Sequence, residues 1–406
     1  MDGLRGKSAR CIKSKRSLAL VFKTVVTMTV FVGLYFYFDF LEFPLRGDEP
    51  HFWQSALHFS KRIVPSVDDL RDYVDMNTPL PFYLFGQLEA ALQLGPKGAR
   101  LLNLTLAFLI VMLVASHDTK YAIGSAAFLM LFPYFLGTGL MLYTDMICTF
   151  FVLVGVIMFL RDRIWVSSLS FALAIWSRQY ALAFPLAICL YEFSRYRPIV
   201  DGFSEKKLIL TLVTMTLAVG TFIPLVVIWG GLAPPDSIVA AGVDASLLRL
   251  FPDHPLYFMT CIGFYFVLPE AILNKGAELR NHRAQEFFFV GTILAIAFFL
   301  FPPIANVQYS VAEMGFLDKL ARYVFADGMR MAVFYSLAVV TGVRFLNGSV
   351  ASFMFWSNVA IMLKAPLGWD KYALPLICCL WYLRASDVIQ LTLPAVDRCR
   401  HKRAVL

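Results

Sequence analysis

Two carboxylates stand side by side at Asp48 and Glu49, in the stretch FPLRGDEPHFWQSA that begins at Phe43. His51 and Trp53 follow directly. A carboxylate in such a place can take the proton of a hydroxyl nucleophile, and an imidazole and an indole beside it can line a binding surface. The stretch also fits a plain helix start, with an acidic N-cap, Pro50 in the first turn and an apolar run after it. Taken by itself, the capping pattern is the commoner reading. Further polar groups recur at intervals. Asp75, Asn77 and Thr78 precede an aromatic run in DMNTPLPFYLFG; Asp145 ends LMLYTD; Arg178 and Gln179 sit in WSRQYALAFP; Asp370, Lys371 and Tyr372 sit in WDKYALPL. Each of these signals is weak alone, since an Asp at a helix start is usually a cap and a Pro-rich turn usually a turn.

The elements that would position these residues are apolar. Of 406 residues, 59% are hydrophobic and 16% charged, with mean hydropathy +0.67, against about 25% charged in a soluble protein. Runs long enough to cross a bilayer, ~17–25 residues, recur throughout. The chain therefore reads as all-α, a polytopic transmembrane helical bundle of about twelve spans. They are expected near 17–39, 101–116, 121–136, 140–160, 164–177, 179–194, 208–229, 255–273, 287–304, 328–345, 350–364 and 371–386. A β-barrel needs alternating polarity, and FFVLVGVIMFL does not alternate.

Charge orients the bundle. The loops assigned to the cytosol hold 22 Lys and Arg, beginning with the basic N-terminal segment, and the opposite side holds 13. Orientation follows this asymmetry, so the N-terminus is expected in the cytosol. Asp48, Glu49, Asp75, Asn77, Asp145, Arg178, Gln179 and Lys371 then all fall on the extracytoplasmic side. The longest outer loop, 40–100, carries eight of the 28 acidic residues. Its Phe52, Trp53, Leu57 and Phe59 predict helices lying at the membrane interface. The second outer loop is 305–327. The net charge of +8 fits basic cytoplasmic loops and anionic lipid headgroups; no soluble basic-aromatic domain points to nucleic acid. Most of the seven cysteines lie in apolar runs, without CxxC or metal-ligand spacing, and read as small buried hydrophobes.

The ordered stretches DEPHF, NTPLPFYLF, RLLNL, LFPYFLGTGLMLYTD, SRQYALAF and IWGGLAPPD resemble the GT-C glycosyltransferases, and among them the family of dolichyl-phosphate-glucose alpha-1,2-glucosyltransferases. The resemblance covers about residues 45 to 240 and loosens beyond, where WDKYALPL is similar to the ending of several GT-C branches. Three details depart from that family's pattern. His51 stands one residue closer to the acidic pair, Trp229 and Leu232 flank the Gly pair where Asn and Ile are expected, and Tyr180-Ala181 follows Arg178-Gln179 in place of Thr-Asn.

The resemblance implies transfer of a hexose, glucose by this likeness, from a polyprenyl- or dolichyl-phosphate carrier to a lipid-linked oligosaccharide or other glycan acceptor. The reaction would take place at the luminal or periplasmic face of the endoplasmic reticulum or bacterial inner membrane, with inversion. Asp48 would be the general base, with Glu49 as its alternative or an acceptor-binding group. Arg178 and Lys371 would meet the leaving phosphate, as a fork and a point charge respectively. Asp145 would orient the acceptor or Arg178, His51 and Trp53 would line the sugar site, and Asp75, Asn77 and Gln179 would complete the binding surface. No cofactor is expected. A divalent metal is the lesser alternative: it needs Asp48, Glu49, Asp75 and Asp145 to converge, and no HxH or DxD spacing supports it. A polytopic transporter or flippase for a lipid-linked sugar is the competing reading. Against it stand the long acidic first loop and the lack of an internal six-plus-six repeat.

Overall fold

The computed structural model describes residues 23, 25–33, 42–196, 205–241, 249–280, 282–303 and 315–389. Most of the expected first span, the basic N-terminal segment, much of the second outer loop and the basic C-terminal tail lie outside the described residues. Within them the chain is all-α, without a strand. Each span expected from residue 101 onward has a helical counterpart, and Ile164–Ser177 has the expected bounds.

The lengths are more modest than the apolar runs predict. Among the described residues, three helices are long and apolar enough to cross a membrane: Pro96–Ala115, Glu205–Trp229 and Asp253–Asn274. A fourth crossing is added if Ala122–Met130 and Pro133–Leu140, bent by 69° across their break, count as one. Asp145–Leu160, Ile164–Ser177, Ala284–Leu300 and Val350–Met362 are apolar but shorter. Local chemistry explains several breaks. Pro133 cannot donate into a continuing helix. Arg178 is extended (φ −155°, ψ 123°), so one helix ends there and a 3-10 turn, Gln179–Leu182, restarts the chain. Broad apolar faces remain exposed, including Ile209, Val213 and Val227 on one helix and Phe288, Ile296 and Phe299 on another. Faces of that extent are membrane or partner surfaces.

The bundle is built around Leu374–Ala385, every residue of which is buried. A helix apolar on all sides belongs at a centre. Trp381 stacks on Phe128 at 5.6 Å and meets Phe266 edge-on at 4.8 Å. Asp145–Leu160 and Ile164–Ser177 form a tight hairpin: a Cβ on Gly155 would lie 2.7 Å from the Phe171 ring, and the Ser167 hydroxyl donates to the Gly155 carbonyl at 2.8 Å. At the end opposite the acidic motif, Arg344 makes a bidentate pair with buried Glu270 at 2.8 and 2.9 Å. Arg384, near the end of the central helix, pairs with Glu278 at 3.1 Å.

The segment 42–95 is ordered by its own sequence. Glu49–Phe59, Val67–Arg71 and Leu80–Leu92 are helices. Ser66 and Asp69 form a reciprocal capping box at the second, which satisfies two orphan backbone donors. The first and third helices cross at Gly86, where a Cβ would lie 2.4 Å from the Ala56 carbonyl oxygen; only glycine allows that approach.

Candidate active site

Asp48 occupies the N-cap position of Glu49–Phe59, yet its side chain makes no capping hydrogen bond. The carboxylate turns instead to Lys371, whose Nζ donates to Oδ2 at 3.1 Å. The lysine side chain is only 7% exposed and the aspartate 40%, so the cation is sunk in the bundle and the carboxylate reaches the surface. Lys371 lies 4.2 Å from the Trp369 ring centroid and 5.5 Å from that of Tyr143. A short 3-10 turn, Asp370–Ala373, delivers it from the N-terminal end of the central helix.

Glu49 has a different environment. It is 1% exposed and receives four donors. Arg100 Nε and Nη2 donate to it at 2.9 and 2.8 Å, and the backbone N–H groups of Arg46 and Leu142 at 3.0 and 2.8 Å. Arg100 also donates to the Phe43 carbonyl at 2.8 Å. The pair thus pins the start of the first loop to Pro96–Ala115 and to the chain entering Asp145–Leu160. The two adjacent carboxylates are separated by environment: one is half-open beside a lysine, the other saturated.

Four more of the expected residues meet behind them. Arg178 Nη2 donates to Asp145 at 2.5 Å, its Nη1 donates to the Asn77 side-chain Oδ1, and the Tyr180 hydroxyl donates to Asp145 at 3.0 Å. Asp145 is therefore a buried counter-ion at the head of its helix. Gln179 Nε2 donates to the Met76 carbonyl at 3.0 Å, and the Thr78 hydroxyl to that of Ile175 at 2.9 Å; both lock segment 75–78 onto the end of Ile164–Ser177. Arg178 Nε and Gln179 Oε1 are buried without a partner. The Tyr180 and Tyr372 rings, 5.5 Å apart, join this cluster to the Lys371 turn. Removing one member of a buried ion pair strands the other charge and costs about 3–5 kcal/mol. Arg178→Ala is therefore expected to lower the thermal midpoint and weaken use of a lipid-phosphate donor. Arg178→Lys is expected to recover part of both, since it keeps the charge but cannot bridge Asp145 and Asn77. Thermal melts and donor titrations read the two effects separately, and an alanine variant normal in both would remove Arg178 from the site.

Asp75 is 8% exposed and accepts from the Ser55 hydroxyl at 2.6 Å. Burial pushes its carboxyl up to about 6, with Asp48 adding to the rise and Ser55, His51 and Arg178 opposing it. The folded state then binds more protons than the unfolded chain between pH ~4 and ~6, so Asp75's contribution to stability falls as pH rises through that window. Asp75→Asn is expected to flatten this slope: between pH 5 and 7 the wild type should lose more melting temperature than the variant. Parallel slopes would refute it.

His51 is exposed on the turn that carries the acidic pair, and Trp53 is half-buried against the core. Sequence reasoning missed Arg100, Tyr143 and Tyr180 as parts of the site. An arginine inside an apolar run is costly unless paired, and that signal at Arg100 was available. It also missed Asn103, whose amide donates to the carbonyls of Met141 and Tyr143, each at 2.8 Å. Among the described residues no three His, Cys, Asp or Glu side chains group as metal ligands: Asp48, Glu49, Asp75 and Asp145 turn to Lys371, Arg100, Ser55 and Arg178 respectively. Compared with protein-family models, with curated proteins and with solved structures, the chain has no match.

Proposed function

We propose that this chain is a GT-C-type membrane glycosyltransferase of about twelve spans, working at the extracytoplasmic face of the endoplasmic reticulum or bacterial inner membrane. It moves a hexose, glucose on the family resemblance, from a polyprenyl- or dolichyl-phosphate carrier to a glycan or lipid-linked oligosaccharide. The observation that carries the reading is the half-exposed Asp48 carboxylate beside the buried Lys371 ammonium. They are a base and a phosphate-binding cation on one side of an apolar bundle.

In the reaction the acceptor hydroxyl oxygen attacks the anomeric carbon, and Asp48 takes its proton. The bond from that carbon to the phosphate oxygen breaks, its electron pair leaves with the phosphate, and configuration inverts in one displacement. Lys371 stabilises the charge gathering on the departing phosphate. For that it must exchange Asp48 for a phosphate oxygen, an exchange that also releases the base. Glu49 and Arg100 hold the loop; Arg178, Asp145 and Asn77 set the wall behind it.

The test uses purified protein in lipid nanodiscs, given a polyprenyl-phospho-glucose and glycan acceptors. Glycan extended by one hexose, with free polyprenyl phosphate in equal amount, is expected. Absence of transfer, together with movement of the intact lipid-linked sugar across proteoliposomes, would establish the flippase reading instead.

A further inference from the structure

Asp370, the residue before Lys371, is fully buried, and its contacts are unlike those of the other acids of the site. Tyr257 and Tyr265 donate their hydroxyls to its two oxygens, each at 2.6 Å, and the backbone N–H of Leu317 donates to Oδ2 at 2.8 Å. Gly315 packs against it so closely that a Cβ there would lie 2.1 Å from Oδ1, and its φ of +134° is one that L side chains rarely adopt. One residue earlier, the Trp369 indole N–H donates to the Tyr134 hydroxyl at 2.8 Å, and that hydroxyl also accepts from the Phe316 N–H at 3.0 Å. The Asp318 N–H donates in turn to the Tyr257 hydroxyl at 3.2 Å. Residues 315–318 thus grip the Trp369–Lys371 turn from two sides, through Tyr134 and through Asp370.

None of these hydrogen bonds reaches Asp48, yet they set the backbone from which the Lys371 ammonium is held 3.1 Å from Asp48 and 4.2 Å from the Trp369 ring centroid. We propose that Asp370 is a positioning residue: it ties Lys371 to the Gly315–Asp318 segment, so that the anion-binding ammonium and the entry of the Phe316–Val324 helix hold one position together. The proposal rests on the glycosyltransferase reading for its ligand, the phosphate of the lipid donor. Its chemistry is specific: three hydrogen-bond donors converge on one carboxylate, and an amide in its place turns an N–H toward at least one of them, leaving a buried donor unsatisfied.

The experiment compares wild type, Asp370→Asn, Gly315→Ala, the double variant and the milder Tyr265→Phe. Three quantities are read per folded protein: equilibrium binding of a fluorescent polyprenyl phosphate, KM for donor and acceptor, and the thermal midpoint. Asp370→Asn and Gly315→Ala, which enter the grip from opposite sides, are each expected to weaken polyprenyl-phosphate binding on the order of tenfold. Both should raise donor KM in step and leave acceptor KM alone. The double variant should be little worse than either, since both disrupt one contact. Tyr265→Phe should fall between them and wild type, which keeps the test alive if the others fold poorly. Folded variants that bind polyprenyl phosphate as wild type does, or that lose donor and acceptor affinity equally, would overturn the positioning role while leaving the glycosyltransferase reading intact. A wild type that neither binds polyprenyl phosphate nor transfers sugar would remove both.

Discussion

Asp48→Asn is expected to reduce sugar transfer by about 10²–10⁴-fold, the usual contribution of a general base, without loss of folded protein. The carboxylate makes no capping hydrogen bond, and Asn is about as good as Asp at an N-cap in any case. The substitution therefore removes proton acceptance and the charge facing Lys371, at a stability cost that the 40% exposure of Asp48 keeps below that of a fully buried pair. The second consequence separates this prediction from a general defect. With Asp48 neutral, Lys371 no longer has its carboxylate partner at 3.1 Å, and a phosphate need not displace one. Affinity for polyprenyl phosphate should stay equal or tighten while turnover collapses. Single-turnover transfer and lipid-phosphate binding, measured on the same preparation, check the two arms. Near-normal turnover would show that Asp48 is not the base.

The largest effect on stability is expected at Glu49. Glu49→Gln leaves Arg100, 2% exposed, facing a neutral amide that cannot accept from all four donors now served. Breaking a buried ion pair from one side costs about 3–5 kcal/mol, a large share of the 5–15 kcal/mol typical of a folded protein. Arg100→Gln should cost a similar amount, because the unpaired charge is then Glu49. Melting curves in detergent read this directly. Residual transfer per folded molecule should stay far above that of Asp48→Asn. A stable Glu49→Gln protein with no turnover, beside an active Asp48→Asn protein, would move the base by one residue.

Helical character was legible in the sequence wherever an apolar run ended on a local signal. Ile164–Ser177 lies between Arg163 and Arg178, and Leu80–Leu92 starts at the prolines of NTPLPFYLF. Span length was less legible, because the bend between Met130 and Pro133 falls inside a run whose hydropathy is continuous. Several of the expected site residues do meet: Asp48 with Lys371, and Arg178 with Asn77 and Asp145. The division of labour was not readable. Asp48 and Glu49 are neighbours in sequence with the same functional group, and what separates them is Arg100 and Lys371, brought in from 51 and 323 residues away. Local pattern carries no record of such pairings.

The burial of Leu374–Ala385 on every side has a consequence for how the protein is made. This helix lies later in the chain than those it packs on, Pro96–Ala115, Ala122–Met130, Asp145–Leu160 and Val350–Met362 among them. In a membrane-inserted chain, as proposed above, the earlier helices leave the translocon before the piece that fills the space between them exists. Having no lipid-facing side, that piece cannot be laid on the outside of a finished assembly; its neighbours must stay apart until it arrives. A chain interrupted before residue 371 would keep an open slot where Trp381 belongs, with Asp48 lacking the lysine it faces. Completion of the site is then coupled to completion of translation, and a protease that recognises the open slot would act on unfinished chains and spare whole ones.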